Sequence, residues 1–199
     1  MIEKLPTLAQ LLRVLQQIPY LSSKDLYRVA DYLLQVDPKQ IDLLCKTLLL
    51  AREQIKPCAI CFCWYEVTDA CLFCSSSKRN NNIICVVETW QEVVAIEKTK
   101  GYEGAYHVLG GVICPLEGIG PDDLTIAALI ERVKLKEPAE IILATNQTPE
   151  GEATASYIAK KLNGAVKISC LAKGMPVGSS LKAMDRLTVY KALTDRRPF

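Results

Sequence analysis

Four closely spaced cysteines constrain this chain more than any other feature of its sequence. Cys58, Cys61, Cys71 and Cys74 form two C-x2-C pairs separated by a nine-residue spacer. Each pair places two thiols on one short turn, and four thiolates are the ligand set of a tetrahedral structural Zn²⁺ site. Such a site is closed and keeps no coordination position for water, so it braces a fold rather than catalysing a reaction. We therefore expect one structural Zn²⁺ per chain on these four residues.

A fifth cysteine, Cys63, leaves two alternatives open. Cys63 competes with Cys61 for one ligand position, although a C-x-C pair converges on one metal less easily than a C-x2-C turn. Alternatively, all of these cysteines are reduced core residues, since free cysteine is commonly buried as a small hydrophobe. The polar residues between the two pairs, Glu66, Thr68 and Asp69, do not fit a hydrophobic run and favour the metal site.

The composition is that of a globular intracellular protein. Half of the 199 residues are hydrophobic, which is enough for one domain or for two small ones. No apolar run is long enough to cross a membrane, and the N-terminus lacks a signal-peptide pattern, so we expect no membrane association. Nine cysteines, an odd number, suit a reducing compartment. The net charge is only +2, so contact with a polyanion has to be local or multiplied by oligomerisation.

Helical periodicity dominates the segment before the cysteines. Leucines at helical spacing and two start signals, a Ser-Ser cap and an Asp-Pro pair, predict three short helices at about 8–18, 24–33 and 38–48. Lys24 and Arg28 fall at the beginning of the second helix. Their spacing alone favours an ordinary solvated helix face.

Strands alternate with helices after the cysteines. The apolar run Ile83–Val87 is typical of a buried parallel strand and ends at Glu88. Further strands are predicted at about 105–109, 140–145 and 166–169, and helices at about 90–97, 121–133, 150–162 and 180–193. This alternation predicts an α/β fold with a parallel sheet covered by helices on both faces. Because ligands gather at the carboxyl ends of such strands, we expect Glu88 and the segment after Thr145 to be neighbours.

Several segments of this α/β region together carry a recognisable pattern. They are Ile84–Glu88, Tyr106–Gly111, Gly118–Pro121, Leu143–Asn146 and Glu150–Ala155, with the four-cysteine motif before them and Gly174–Gly178 after them. In this order they resemble the RecR family of bacterial recombination mediators over nearly the whole chain. The resemblance implies a helix-hairpin-helix region at 1–56, a four-cysteine zinc finger at 57–75, a Toprim-type domain at 80–172 and a C-terminal helical assembly segment at 173–199.

The resemblance also implies a function and partners. The family takes part in RecBC-independent (RecFOR) recombinational DNA repair, where it acts with RecO and, in some pathways, RecF to load RecA at single-strand gaps. The chain is then expected to be cytoplasmic and nucleoid-associated, to bind DNA, and to form a homo-oligomer, either a dimer or a tetrameric ring.

The basic residues of the second helix gain a role from the resemblance. Lys24 and Arg28 stand at the family's basic hairpin positions, which implies that they contact DNA, and Arg13 and Lys56 are further candidates. The Gly-x-Gly turn of the family is replaced here by Tyr20–Ser22. A Gly turn lets backbone amides approach a phosphate, and a tyrosine with a Cβ hinders that contact. Binding through Lys24 and Arg28 does not depend on it.

The carboxylates of a catalytic Toprim site are incomplete in this sequence. Toprim enzymes hold Mg²⁺ with a Glu after the first strand and an Asp-x-Asp after a later one, because this hard cation takes oxygen ligands and needs its charge balanced. Glu88 is present, but Asn146 and Thr148 occupy the Asp-x-Asp positions. We therefore expect no enzymatic activity, and we expect the lone His107 to be a packed residue rather than a base. The alternatives are a Mg²⁺-dependent Toprim nuclease or topoisomerase-like enzyme, and a zinc-braced adaptor without DNA contact.

An acidic cluster remains at the predicted strand ends. Its members are Glu88, Glu150 and Glu152. Glu150 and Glu152 lie in the first turn of a predicted helix, where the helix dipole favours anions, so they are either helix-capping residues or a docking face. Our hypothesis from the resemblance is that this face receives the basic partner RecO.

Overall fold

Residues 5–172, 174–176 and 178–196 are described by the computed structural model of this chain. The chain divides into two units, Met1–Gln54 and Ile55–Phe199. Helices in the described part of the first unit are α1 (Pro6–Leu15), α2 (Ser23–Gln35) and α3 (Pro38–Gln54). The three helices predicted for this region are thus confirmed, and the first one ends earlier than its periodicity suggested.

The small core of the first unit lies between α1 and α2. Its buried residues are Leu12, Leu15, Leu26 and Ala30. The Ser22 Oγ atom accepts a hydrogen bond from the Asp25 amide at 3.2 Å, which caps the first turn of α2. No residue of α3 is buried, so this helix exposes its leucines to solvent.

A parallel sheet forms the centre of the second unit. Its strands are β3 (Asn80–Val87), β4 (Gly104–Val108), β5 (Glu140–Leu143) and β6 (Lys167–Cys170), in the order β4-β3-β5-β6. All neighbouring pairs are parallel, and Val86 in the inner strand β3 pairs with His107 on one side and Leu143 on the other. The second unit also contains α4 (Trp90–Lys98), α5 (Ile126–Lys136), α6 (Pro149–Leu162) and α7 (Arg186–Thr194). The predicted parallel α/β sheet is confirmed.

Alternate residues of β3 face the two sides of the sheet. Ile84 and Val86 pack against the buried apolar residues of α5 and α6. Cys85 and Val87 face the other side, where they share a core with Val93 of α4 and with the cysteine cluster. Because successive side chains of a strand point in opposite directions, a continuous apolar run fills both layers. Helices therefore cover both faces, as predicted.

Two predicted helices begin later than the sequence suggested. After a short 3-10 helix at Pro121–Asp123, the backbone of Leu124 becomes extended, with φ −110° and ψ 162°, and its side chain is buried. The helix α5 starts only after this residue. The last helix starts at Arg186, where the side chain of Asp185 caps it by accepting a hydrogen bond from the Thr188 amide at 2.9 Å.

A small antiparallel sheet was not predicted. It pairs β1 (Ile55–Pro57) with β2 (Trp64–Glu66), and these strands flank the first cysteine pair. Within the described part of the chain, no helix has the length and apolar character needed to span a membrane.

Candidate functional site

The four predicted metal-binding cysteines converge in the structure. Their Sγ atoms all lie within 4.8 Å of one another. Cys58 and Cys74 have their sulfurs 3.5 Å apart, and Cys61 and Cys71 have theirs 3.5 Å apart. Sulfur atoms around a tetrahedral Zn²⁺, with Zn–S bonds of about 2.3 Å, are separated by about 3.8 Å. The cluster therefore has the donor type and the spacing of a four-thiolate zinc site.

The first cysteine turn is stabilised by its own backbone. The Phe62 amide donates to the Cys58 carbonyl at 2.9 Å, and the Cys58 amide donates to the Cys63 carbonyl at 2.9 Å. The Ile60 amide points at the Cys58 Sγ atom at 3.4 Å. Phe62 takes a left-handed conformation with φ 60° to close the turn. Amide donation to sulfur favours a thiolate, which is the form that binds a metal.

Burial and mutual hydrogen bonding disfavour several thiolates in this cluster unless a cation balances them. A hydrogen bond with Cys63, followed by burial, raises the pKa of the Cys61 thiol. Burial raises the pKa of Cys71, and a hydrogen bond with Cys61 together with burial raises that of Cys74. The positive charge of a divalent cation offsets this penalty, so that the thiol protons are released when the metal binds. The buried four-cysteine cluster is therefore a metal site in its chemistry, and zinc is the ion that suits it.

Cys63 lies next to this cluster without belonging to it. Among the residues that the structure describes, the set with the mutual spacing of a metal site comprises the four cysteines of the two C-x2-C pairs. The side chain of Cys63 is fully buried in the core that the cluster shares with the sheet. The C-x-C geometry thus leaves Cys63 in a packing position.

The cysteine cluster is joined directly to the sheet. The Val108 amide of β4 donates to the Cys61 carbonyl at 2.9 Å. Within the second cysteine pair, the ring of Phe73 contacts those of Trp90 and Tyr106 edge-on, with centroid distances of 5.5 and 5.7 Å. A metal at this position would therefore brace the edge of the sheet as well as its own loop.

His107 occupies the interior beneath the first cysteine turn. Its ring lies edge-on to that of Phe62, with centroids 5.2 Å apart. The Thr125 hydroxyl donates to the Val108 carbonyl at 2.7 Å and lies 3.0 Å from the His107 Nε2 atom, which identifies Nε2 as the protonated nitrogen. Burial lowers the pKa of His107 to about 3. It is a packed, neutral histidine, as expected from its apolar strand.

Glu88 and Asn146 meet at the carboxyl edge of the sheet. The Asn146 backbone amide donates to the Glu88 Oε1 atom at 2.6 Å, and the Asn146 Nδ2 atom donates to Oε2 at 2.7 Å. Glu88 is only 7% exposed. The predicted neighbourhood of Glu88 and the segment after Thr145 is confirmed. Both oxygens of the carboxylate are engaged by one residue.

Glu92 lies beside this pair and is also engaged. The Thr89 amide and hydroxyl donate to its Oε2 atom at 2.8 and 2.6 Å, which closes the first turn of α4. Burial alone would raise the pKa of Glu92, but these hydrogen bonds from Thr89 lower it below its ordinary value. The Asn146 Nδ2 atom approaches the Glu92 Oε1 atom at 3.4 Å.

The second Asp-x-Asp position is used to begin α6. Thr148 is the N-cap residue, and its Oγ1 atom accepts a hydrogen bond from the Gly151 amide at 3.1 Å. A Cβ atom at Gly151 would collide with the Asn146 carbonyl oxygen and would lie 2.9 Å from the Glu88 Oε1 atom. Only glycine lets the first turn of α6 come this close to the strand end.

The two remaining acidic residues of the cluster lie in the first turn of α6, as predicted. Glu152 accepts a hydrogen bond from the Lys191 Nζ atom of α7 at 3.0 Å, with the two side chains 42% and 33% exposed. The Glu150 carbonyl accepts one from the Thr154 hydroxyl at 2.7 Å. The structure thus places Glu88 beside Gly151 and connects Glu152 to the C-terminal helix. No pattern in the sequence indicated that connection.

The predicted DNA-contacting residues lie on the solvent side of the first unit. Lys24 and Arg28 are exposed one turn apart on α2. The Arg28 Nη1 atom is 3.5 Å from the Asp25 Oδ1 atom, and the Arg28 side chain stays 76% exposed. Of the two further candidates, Arg13 is exposed in the last turn of α1 and Lys56 is exposed in β1.

Comparison with known proteins identifies the family. Residues 82–172 match the model of a Toprim domain. The recombination protein RecR of Tropheryma whipplei (strain TW08/27) is 44% identical over 188 residues, which cover 94% of each chain. RecR proteins of Thermosynechococcus vestitus and Desulfitobacterium hafniense are 42% and 41% identical, over 96% of this chain and 94% of theirs. The chain therefore belongs to the RecR family of recombination proteins.

Proposed function

We propose that this chain is a non-enzymatic, DNA-binding recombination mediator that forms a ring or clamp on DNA. Its family implies a role in recombinational DNA repair. In the proposed mechanism it acts in the cytoplasm, in the RecFOR pathway, with RecO and, where present, RecF to help load RecA at gaps. The observation that carries the non-enzymatic assignment is the pairing of Glu88 with Asn146.

This pairing supports a structural role for the carboxyl edge of the sheet. A catalytic site would direct carboxylate oxygens at Mg²⁺ from both strand ends. Here Asn146 directs two N–H donors at Glu88, at 2.6 and 2.7 Å, where a second carboxylate would lie in an enzyme. Binding Mg²⁺ through Glu88 would require these hydrogen bonds to break without supplying a second negative charge. Thr148 is likewise engaged as the cap of α6.

The cysteine cluster supports one structural Zn²⁺ per chain. Its ligands would be Cys58, Cys61, Cys71 and Cys74, whose sulfurs have the required mutual spacing. The ion would supply the positive charge that lets the four clustered thiols ionise. Because Cys61 is also hydrogen-bonded to β4, the site would couple the cysteine loop to the sheet.

DNA binding is assigned to the hairpin formed by α1 and α2. Lys24 and Arg28 present two cations from the exposed side of α2, where neither is buried. Contacts to phosphates position a protein on DNA without reading its sequence, which suits a protein that acts at gaps of any sequence. With a net charge of only +2 per chain, several copies would have to engage the same DNA.

An exposed apolar helix supports assembly into a homo-oligomer, either a dimer or a tetrameric ring. Five leucines of α3 are between 46% and 71% exposed, namely Leu43, Leu44, Leu48, Leu49 and Leu50. This many exposed leucines on one helix mark a protein contact. The C-terminal segment 173–199 is the second proposed assembly element, and its residues 173, 177 and 197–199 lie outside those that the structure describes.

The acidic residues of the Toprim edge are proposed as the RecO-binding face. Glu150 and Glu152 are partly exposed, whereas Glu88 is buried and would act by positioning the neighbouring segment. A basic segment of RecO would compete with Lys191 for Glu152.

The proposed organisation of the chain has four regions. They are the helix-hairpin-helix region at 1–56, the four-cysteine zinc finger at 57–75, the Toprim domain at 80–172 and the C-terminal assembly segment at 173–199.

A gel experiment tests the proposal. The zinc-loaded protein is incubated with closed circular and with linear DNA in the presence of Mg²⁺, and each sample is run before and after removal of protein. We expect retarded DNA that is intact after protein removal. Nicked, relaxed or cleaved DNA that is absent with the Glu88→Ala variant would contradict the non-enzymatic assignment. Unretarded DNA from a sample that still binds RecO would instead identify a protein adaptor.

A further inference from the structure

Two exposed tyrosines accompany the basic residues of the hairpin. Tyr20, at the tip between α1 and α2, is fully exposed, and Tyr27 on α2 is 54% exposed. We propose that Tyr20 and Tyr27 stack on unpaired bases, so that the hairpin binds single-stranded DNA through its bases as well as its phosphates. This inference deepens the proposed function, because it assumes that the hairpin contacts DNA.

The backbone of Tyr20 takes a conformation that a tyrosine rarely adopts. Its φ angle of 64° lies in the left-handed region, which favours glycine. The chain keeps the turn that a glycine would make, yet it carries a large aromatic side chain outward into solvent. Strained backbone positions of this kind concentrate at binding sites, where the surrounding structure maintains them. Here the Ser22 cap of α2 follows two residues later.

Helical spacing places Tyr27 among the cations. Lys24, Tyr27 and Arg28 are at positions i, i+3 and i+4 of α2, which share one face of a helix. The buried residues of this helix, Leu26 and Ala30, lie on another face. The exposed face therefore alternates positive charge with an aromatic ring.

The acidic residue beside these cations is already engaged. The Asp25 carboxylate accepts a hydrogen bond from the Ser22 hydroxyl at 2.6 Å. It also lies 3.5 Å from the Arg28 guanidinium in an exposed, weak pair. A DNA phosphate can replace Asp25 as the partner of Arg28. No buried charge is then left uncompensated, because both side chains are exposed.

The combination fits a single strand better than a duplex. Bases of a duplex are already stacked on one another and paired, so a protruding ring finds no free base face without unstacking them. Single-stranded DNA offers a free face on every base, and stacking on an aromatic side chain strengthens binding by roughly tenfold or more for each base. Lys24 and Arg28 complement the phosphates of either form.

The test compares three variants with the intact protein. Tyr20→Gly/Tyr27→Ala removes both rings, and glycine keeps the left-handed turn at position 20 without strain. Tyr20→Phe/Tyr27→Phe keeps the rings without the hydroxyls. Lys24→Ala/Arg28→Ala removes the cations. Fluorescence anisotropy measures binding to a single-stranded oligonucleotide and to a blunt duplex of equal length.

We expect the ring-deleted variant to lose roughly tenfold or more in affinity for the single strand and to bind the duplex as the intact protein does. The phenylalanine variant should keep nearly all of the single-strand affinity. A 2-aminopurine base in the single strand should show fluorescence quenching with the intact protein and not with the ring-deleted variant.

Other results would overturn the inference in distinguishable ways. If only Lys24→Ala/Arg28→Ala weakens binding, the hairpin contacts DNA without stacking. An equal loss on single strand and duplex would likewise exclude base stacking. If none of the variants changes binding, the proposed hairpin contact itself fails. A smaller oligomer mass of the ring-deleted variant in light scattering would assign the tyrosines to a subunit contact instead.

Discussion

The polar side chains at the carboxyl edge of the sheet are hydrogen-bonded within the protein, whereas those on the exposed face of α2 point into solvent. At the sheet edge, each oxygen of the Glu88 carboxylate accepts a hydrogen bond from Asn146, and Thr148 caps a helix. On α2, Lys24 and Arg28 extend into solvent. A polar group whose hydrogen bonds are satisfied inside the protein stabilises the fold, whereas an exposed one is available to a ligand. The comparison supports the proposed division of roles, in which the sheet edge serves as a scaffold and the small helical hairpin contacts DNA.

The largest expected effect comes from breaking the cysteine cluster. Like the residues of the sheet edge, its side chains contact one another inside the protein. Cys61→Ser should abolish zinc binding and unfold the cysteine loop, because structural zinc contributes on the order of 10 kcal/mol to folding. Metal analysis and thermal unfolding measure both effects. Cys45→Ser changes an exposed cysteine and serves as the matched control. Full zinc content in Cys61→Ser would show that another thiol replaces it.

A second carboxylate at the sheet edge tests whether the Glu88 site is structural. In Asn146→Asp, two carboxylates would face each other at the distance of the present hydrogen bonds, which should destabilise the fold by about 3 kcal/mol. Added Mg²⁺ should restore part of the lost stability, because the cation balances the two charges. Denaturant unfolding with and without Mg²⁺ measures this. Asn82→Asp is the control, since it makes the same substitution at an exposed position of β3.

An unchanged stability of Asn146→Asp would contradict the assigned role of the pair. It would mean that the residue at position 146 moves away from Glu88 at little cost, and that the edge is open to a metal.

A smaller effect is expected at the close approach of α6 to the strand end. Gly151→Ala introduces a Cβ against the Asn146 carbonyl and the Glu88 carboxylate, and should destabilise the fold by about 2 kcal/mol. Thermal unfolding measures the change. Gly120→Ala is the matched control, because its Cβ would lie 3.6 Å from the Asp123 carboxylate, an ordinary contact distance. Equal melting temperatures for the two variants would show that the edge yields easily.

The fold followed from local patterns that the sequence displays directly. The apolar run ending at Val87 shows a strand buried on both faces, and the paired C-x2-C turns indicate a shared centre. The hairpin of β1 and β2 escaped prediction, because three-residue strands carry too little periodicity. The position of Tyr20 in the left-handed region was also hidden, because a tyrosine rarely adopts it.

The chemistry of the sheet edge depended on long-range contacts. Glu88 and Asn146 are 58 residues apart, and their pairing arises only because β3 and β5 are adjacent in the sheet. The sequence placed the two residues near each other but gave no direction for the Asn146 amide. The ion pair between Glu152 and Lys191 likewise required the position of α7. Gly151, between Glu150 and Glu152, was the available sign of a close backbone approach.

The most direct test of the account alters each of the two surfaces separately and measures both binding activities. One variant, Lys24→Ala/Arg28→Ala, alters the hairpin, and another, Glu150→Gln/Glu152→Gln, alters the sheet edge. Each is measured for DNA affinity over a range of salt concentrations and for RecO binding. The hairpin variant should lose DNA affinity, with a salt slope reduced by roughly one unit for each lost phosphate contact, and should keep RecO. The edge variant should keep its DNA affinity and lose its RecO binding. Loss of DNA binding by the edge variant, with an unchanged hairpin variant, would contradict the account.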